Sequence, residues 1–219
     1  MKTSAVILSI GLSLTLSISL TGCESTYYDA METVGIHKRD ILIDRVTETR
    51  DAQKESQQQF QTALEQLTEL INFDGGQLQQ VYETLQDEYD TSVSAAERVT
   101  SRIGKVESVA EALFEEWQEE LTQYSSDKLR RDSEKKLRTT ERKFKKLLRT
   151  MRQAESKMQP VLTALKDNTL YLKHNLNAQA VGAIKGEYDR IKADVNALIT
   201  DMNTAIDESD AFIKEMENK

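Results

Sequence analysis

From Val181 to Phe212 apolar or small residues return after three positions and then after four: Val181, Ile184, Tyr188, Ile191, Val195, Leu198, Met202, Ala205, Ser209 and Phe212. That alternation is the period of a helix wound against other helices, and it excludes a strand, whose side chains change face at every residue. Three earlier stretches repeat it. One holds Met31, Gly35, Leu42, Val46, Thr49, Ala52, Phe60, Ala63, Leu67 and Leu70, with a polar middle. The next steps through Ala96, Val99, Ile103, Val106, Ala110, Leu113 and Trp117, and the third through Leu137, Thr140, Phe144, Leu147, Met151, Ala154, Met158, Val161 and Leu165.

Between these stretches stand the residues that turn a chain. Phe73-Asp74-Gly75-Gly76 supplies glycines for a helix exit, Ser125-Ser126-Asp127 supplies N-caps, and Lys173-His174-Asn175-Leu176-Asn177 is a polar run. Helices are therefore expected over 28–72, 77–124, 127–173 and 178–217. Joined by short turns, they give an all-α fold: an elongated antiparallel four-helix bundle or coiled coil, about 65 to 70 Å long at 1.5 Å per residue. Gly104 is expected to mark a close helix contact, and Pro160, which removes a helical hydrogen bond, a kink. The narrow apolar stripes leave homo-oligomerisation open.

The chain opens with a positive head, Met1-Lys2, and an apolar run from Ala5 to Leu20 that is too short and too rich in Ser and Thr to span a bilayer. It ends in Leu20-Thr21-Gly22-Cys23, which resembles the close of a bacterial lipoprotein signal. That resemblance implies cleavage of residues 1–22 between Gly22 and Cys23, lipidation of Cys23, an anchor segment over 23–27, and a single helical domain over 28–219. The alternative is an ordinary secretory signal that leaves a free thiol. Two or three acyl chains would hold the protein firmly, since each buried methylene contributes roughly 0.8 kcal/mol. Glu24 stands where an Asp commonly retains lipoproteins in the inner membrane, so the resemblance favours the outer membrane, facing the periplasm. Tyr27 and Tyr28 are expected at the lipid interface.

Cys23 is the only cysteine, so no intrachain disulfide exists and packing must supply the stability. The formal charge is −8, which argues against nucleic acid as a partner. Within that acidic chain, residues 128–157 carry 13 Lys and Arg against 4 Asp and Glu. In a hairpin centred on Ser125-Ser126, Glu120, Glu116, Glu115 and Glu111 fall opposite Arg131, Lys135, Lys136 and Thr140, so part of the basic charge is expected to be paired inside the molecule. Arg138, Arg142, Lys143, Lys145, Lys146, Arg149 and Arg152 remain as a candidate strip for anionic phospholipid or lipopolysaccharide.

If Cys23 is held in a membrane, the turns at 73–76 and 173–177 share the far end of the bundle. Phe73, Asp74, Gly75, Gly76, Lys173, His174, Asn175 and Asn177 are the candidate partner-binding residues there, although Asp, Gly and Asn also serve turns for their own sake. Trp117 lies on the heptad seam and is expected in the core. His37 and His174 fall at opposite ends and have no ligand-spaced neighbours, so no metal site is expected; no cofactor motif, phosphate-binding loop or nucleophile elbow occurs.

Tyr27-Tyr28-Asp29-Ala30-Met31, Gly35 to Leu42, Phe73 to Gly76, Ala112-Leu113-Phe114-Glu115-Glu116-Trp117 and Leu172 to Ala178 together resemble an uncharacterised family of proteobacterial coiled-coil lipoproteins. The resemblance covers essentially the whole mature chain. It implies an envelope location and a helical fold, and supplies no activity and no catalytic residues. The expected function is that of a non-enzymatic envelope lipoprotein acting as adaptor, spacer or assembly factor towards an envelope protein. The alternative is a bundle that binds anionic lipid, and a weaker one is an enzyme or ATPase-associated coiled-coil subunit.

Overall fold

A computed structural model of the chain describes Tyr28, Met31 and residues 35–218; the leader, Cys23 and Tyr27 lie outside the described residues. Four long helices follow one another: α1 (Lys38–Ile71), α2 (Leu78–Glu120), α3 (Asp127–His174) and α4 (Ala178–Glu217). A short 3-10 turn, Leu121–Gln123, closes α2. Each helix packs on its neighbours in chain order, and α4 returns to α1. The pairs along that last seam prove it antiparallel, since one partner's number falls as the other's rises. Arg50 bridges Asp210 at 2.8 Å, Gln57 bonds Asn203 at 2.9 Å and Thr68 bonds the Tyr188 hydroxyl at 2.8 Å.

The heptad positions are the core. Leu42, Val46, Phe60, Leu67 and Leu70 of α1 are fully buried, as are Val99, Ile103 and Val106 of α2 and Ile191, Val195, Leu198 and Met202 of α4. On α3, Leu147, Met151 and Ala154 complete the same layers. Near one end Phe144 stacks edge-on against Phe114, with centroids 5.5 Å apart, and leans on Phe212 at 6.1 Å. Such aromatic pairs contribute about 0.5–1.5 kcal/mol beyond the area they bury.

One band departs from this. Thr49, Gln53 and Ser56 of α1, Ser92 of α2 and Ser209 of α4 are all fully buried. Thr49, Ser92 and Ser209 turn their hydroxyls back to carbonyls one helical turn earlier, at 2.7 Å each. Both amide atoms of Gln53 and the Ser56 hydroxyl have no hydrogen-bond partner.

Two local expectations change. The first helix does not run from residue 28: Gly35 adopts φ +86°, Ile36 and His37 are non-helical, and the Ile36 N–H bonds the Met31 carbonyl at 3.0 Å. A glycine in the left-handed conformation with a bond spanning five residues is a helix-ending motif, so Gly35 closes the helical segment holding Tyr28 and Met31 before α1 begins. Gly104 does not mark a close contact, because a Cβ there would meet nothing within 4 Å. Pro160 lies inside α3, which continues to His174, as expected of a proline that bends a helix without ending it. The proline is exposed, so water can reach the carbonyl it leaves without a donor.

The third change concerns Tyr28. Tyr28 does not sit at a lipid interface: it is 5% exposed, belongs to the core, and its hydroxyl lies 3.1 Å from Ser108 Oγ. Lys38 pairs with Glu116 at 3.3 Å, eight residues further along α2. At 1.5 Å per residue Tyr28 is therefore about 12 Å deeper along the bundle than the start of α1.

Candidate functional site

Two surfaces stand out, and the first is the far end. The α1–α2 and α3–α4 connections share it, as the antiparallel register requires. The structure sorts the eight candidate residues by what each does. Gly75 and Gly76 hold φ +141° and +125°, and the Phe73 ring packs on the core and lies against Gly76. Asn175 Nδ2 bonds the Tyr171 carbonyl at 2.9 Å, and Asn177 Oδ1 accepts from the Ala180 N–H at 3.0 Å as the N-cap of α4. These five residues make the turns. Asp74, Lys173 and His174 are exposed and make no such bond.

Beside them the structure adds residues that the sequence reading did not single out. Leu170, Tyr171 and Leu176 are 46%, 44% and 39% exposed, half of the large hydrophobic side chains exposed among the described residues. A groove of about 490 Å³ runs from this end between α3 and α4. Asp167, Asn168, Tyr171, Ile184, Glu187 and Arg190 line it, with Arg190 bridged to Glu187 at 2.9 Å. An apolar rim with charges at its edge is the composition of a protein-contact surface. The available signal was the break in pattern at Leu170 and Tyr171, two large residues off the Leu165–Leu172 seam.

The second surface is the outer face of α3. Three of its seven candidate cations are turned to neighbouring helices. Lys143 pairs with Glu215, Lys146 with Glu208 at 2.5 Å, and Arg152 with Glu107 at 2.5 Å and Glu155 at 2.9 Å. The Glu155 hydrogen bond, aided by Glu107 and opposed by burial, raises the Arg152 guanidinium further above its ordinary range. The same happens to Arg50, first through Asp210. Both stay charged at any physiological pH.

Arg138, Arg142, Lys145 and Arg149 remain outward, and Arg131 and Lys135 join them. The expected pairing of these two with Glu120 and Glu116 does not form: Glu116 meets Lys38, and Lys136 meets Asp132 at 3.2 Å. The expected level is right, since Trp117 Nε1 donates to Ser133 Oγ at 2.8 Å across the same hairpin. The face is wrong, because Glu111, Glu115, Glu120, Arg131 and Lys135 all lie exposed on outer surfaces. Trp117 is thereby a half-buried tie between α2 and α3.

The result is a straight line of six exposed cations, Arg131, Lys135, Arg138, Arg142, Lys145 and Arg149, spaced four, three, four, three and four. It is about 27 Å long at 1.5 Å per residue. Arg138 meets Glu134 one turn back, whereas no ion pair among the described residues holds the other five.

Among the described residues no three His, Cys, Asp or Glu side chains converge as a metal site would require, and no helix is long and apolar enough to cross a membrane. His37 and His174 stand at opposite ends of α1 and α3. No curated protein and no solved structure matches the chain. A family model described as a protein of unknown function (DUF2959) matches residues 27–216, which takes in Tyr28 and all four helices, and the chain belongs to that family.

Proposed function

We propose that this chain is a non-enzymatic envelope lipoprotein, tethered through Cys23 at the periplasmic face of the outer membrane, that acts as an adaptor towards an envelope protein. The observation that carries this reading is the far-end surface, where Leu170, Tyr171 and Leu176 stay exposed beside Asp74, Lys173 and His174. A bundle that buries its seams so fully has no internal need of three large apolar side chains at one end. Buried aromatic and aliphatic anchors ringed by charge are what concentrate binding energy at protein contacts. The helices behind them are rigid, so the end is presented in one geometry and little entropy is lost on contact.

The test is in-cell photocrosslinking with a probe placed singly at Lys173 or Leu176, and at Gln58 on the outside of α1 as control. A discrete protein adduct at the two far-end positions and none at Gln58 is the expected result. Adducts at all three positions, or at none, would overturn the adaptor reading and leave the bundle a passive spacer.

A further inference from the structure

We infer that the outer face of α3 is a second, independent contact surface, and that it lies on the anionic phospholipid headgroups of the membrane in which Cys23 is anchored, so that the bundle rests along the membrane instead of standing on its end. This rests on Cys23 as the anchor and not on the far-end partner.

Two observations meet here. The first is the cation line from Arg131 to Arg149, five of whose members lack an ion-pair partner among the described residues. Cations in a straight row, all facing out, match a plane of phosphates better than a compact ligand, which needs groups that converge. Glu111 and Glu115 of α2 are exposed at the same level, which places the contact over α3 and keeps α2 off the surface.

The second is the path of the chain. Tyr28 is seated at Ser108, and Arg152 is bridged to Glu107, the residue before it. The level at which Tyr28 meets the bundle is therefore also the level at which the cation line ends. Cys23 precedes Tyr28 by five residues, a reach of at most about 18 Å of extended chain. For the bundle to stand on its near end, that leash would have to run back about 18 Å to the level of Glu120. It would arrive there fully extended, with no length to spare. With the bundle lying along the membrane no such extension is needed, and the anchor raises the local concentration of headgroups beneath the cations.

The experiment uses the full lipidated protein in vesicles. Because Cys23 is acylated, a cysteine introduced elsewhere is the only free thiol, and a fluorophore is attached at Ser156→Cys, which extends the cation line by one heptad, or at Gln58→Cys on the opposite side. Quenching by headgroup-labelled lipid is measured in phosphatidylcholine vesicles with and without 30% phosphatidylglycerol. With the anionic lipid, quenching at position 156 should exceed that at 58 severalfold. The excess should vanish at molar salt and in the Arg142→Glu, Lys145→Glu, Arg149→Glu variant, with helical circular dichroism unchanged. Equal quenching at the two positions, or an excess that survives the triple reversal or appears equally on phosphatidylcholine alone, would overturn the inference. Competition by free phosphate at millimolar concentration with no membrane effect would likewise assign the line to a soluble anion.

Discussion

Replacing Phe60 by alanine should destabilise the bundle by about 4 kcal/mol, within the range of roughly 3–5 kcal/mol for removing a buried phenyl ring. Phe60 is the largest of the fully buried side chains and sits one turn from Ser56, where the apolar core resumes after its polar band. The ring therefore closes the end of the band. Loss of its contacts leaves a cavity that long parallel-sided helices cannot collapse without shifting their register. For a chain of this size each kcal/mol moves the melting temperature by about 2–4 °C, so a fall of about 8–16 °C is expected in thermal denaturation followed at 222 nm. A fall under 2 °C would mean that Phe60 is not a core residue.

The opposite sign is expected seven residues away. Gln53→Met should raise stability by about 2 kcal/mol, or about 4–8 °C, because it replaces a fully buried amide without partners by a thioether of the same length. An unpaired buried polar group costs about 1–3 kcal/mol, and methionine fills the space without a new shape. Thr49→Val should gain less, since the Thr49 hydroxyl already bonds the Arg45 carbonyl at 2.7 Å. A lower melting temperature for Gln53→Met would show that the amide is satisfied in solution and that the band is a bonded layer. A bundle that retains an unfavourable layer gains in exchange a fixed register, because sliding one helix by a heptad would bury the amide against leucine instead of small residues.

The fold was legible because its signal is repetitive. Four stretches at three and four, separated by Asp-Gly-Gly, Ser-Ser-Asp and Asn-Leu-Asn, leave an antiparallel bundle as the arrangement that buries every stripe. Where the reading failed, two structures shared one local pattern. Gly35 fits a heptad position and a helix-ending position equally well, and only the burial of Tyr28 against α2 decides between them. Gly104 failed for a related reason: a small residue within a helical pattern marks a close contact only where a neighbour approaches it, and a Cβ there would meet nothing within 4 Å.

The basic surface shows the same limit from the side of charge. The hairpin rule placed Arg131 and Lys135 at the right level and on the wrong face, since level depends on turn length and face depends on the rotation of each helix. Reading the cations by the spacing used for the apolar residues would have found the line, because Arg131, Lys135, Arg138, Arg142, Lys145 and Arg149 keep the three-four alternation on the face opposite the seam. Lys143, Lys146 and Arg152 depart from it, and those are the three that neighbouring helices claim.

Both functional readings require a lipid on Cys23. The direct measurement is metabolic labelling with an alkyne palmitate, followed by membrane fractionation, of the wild type and of Cys23→Ala. The account predicts a labelled wild-type chain recovered with the outer membrane and an unlabelled variant that keeps its leader. A wild-type chain without label, or one recovered in the periplasmic fluid with a free thiol, would contradict it.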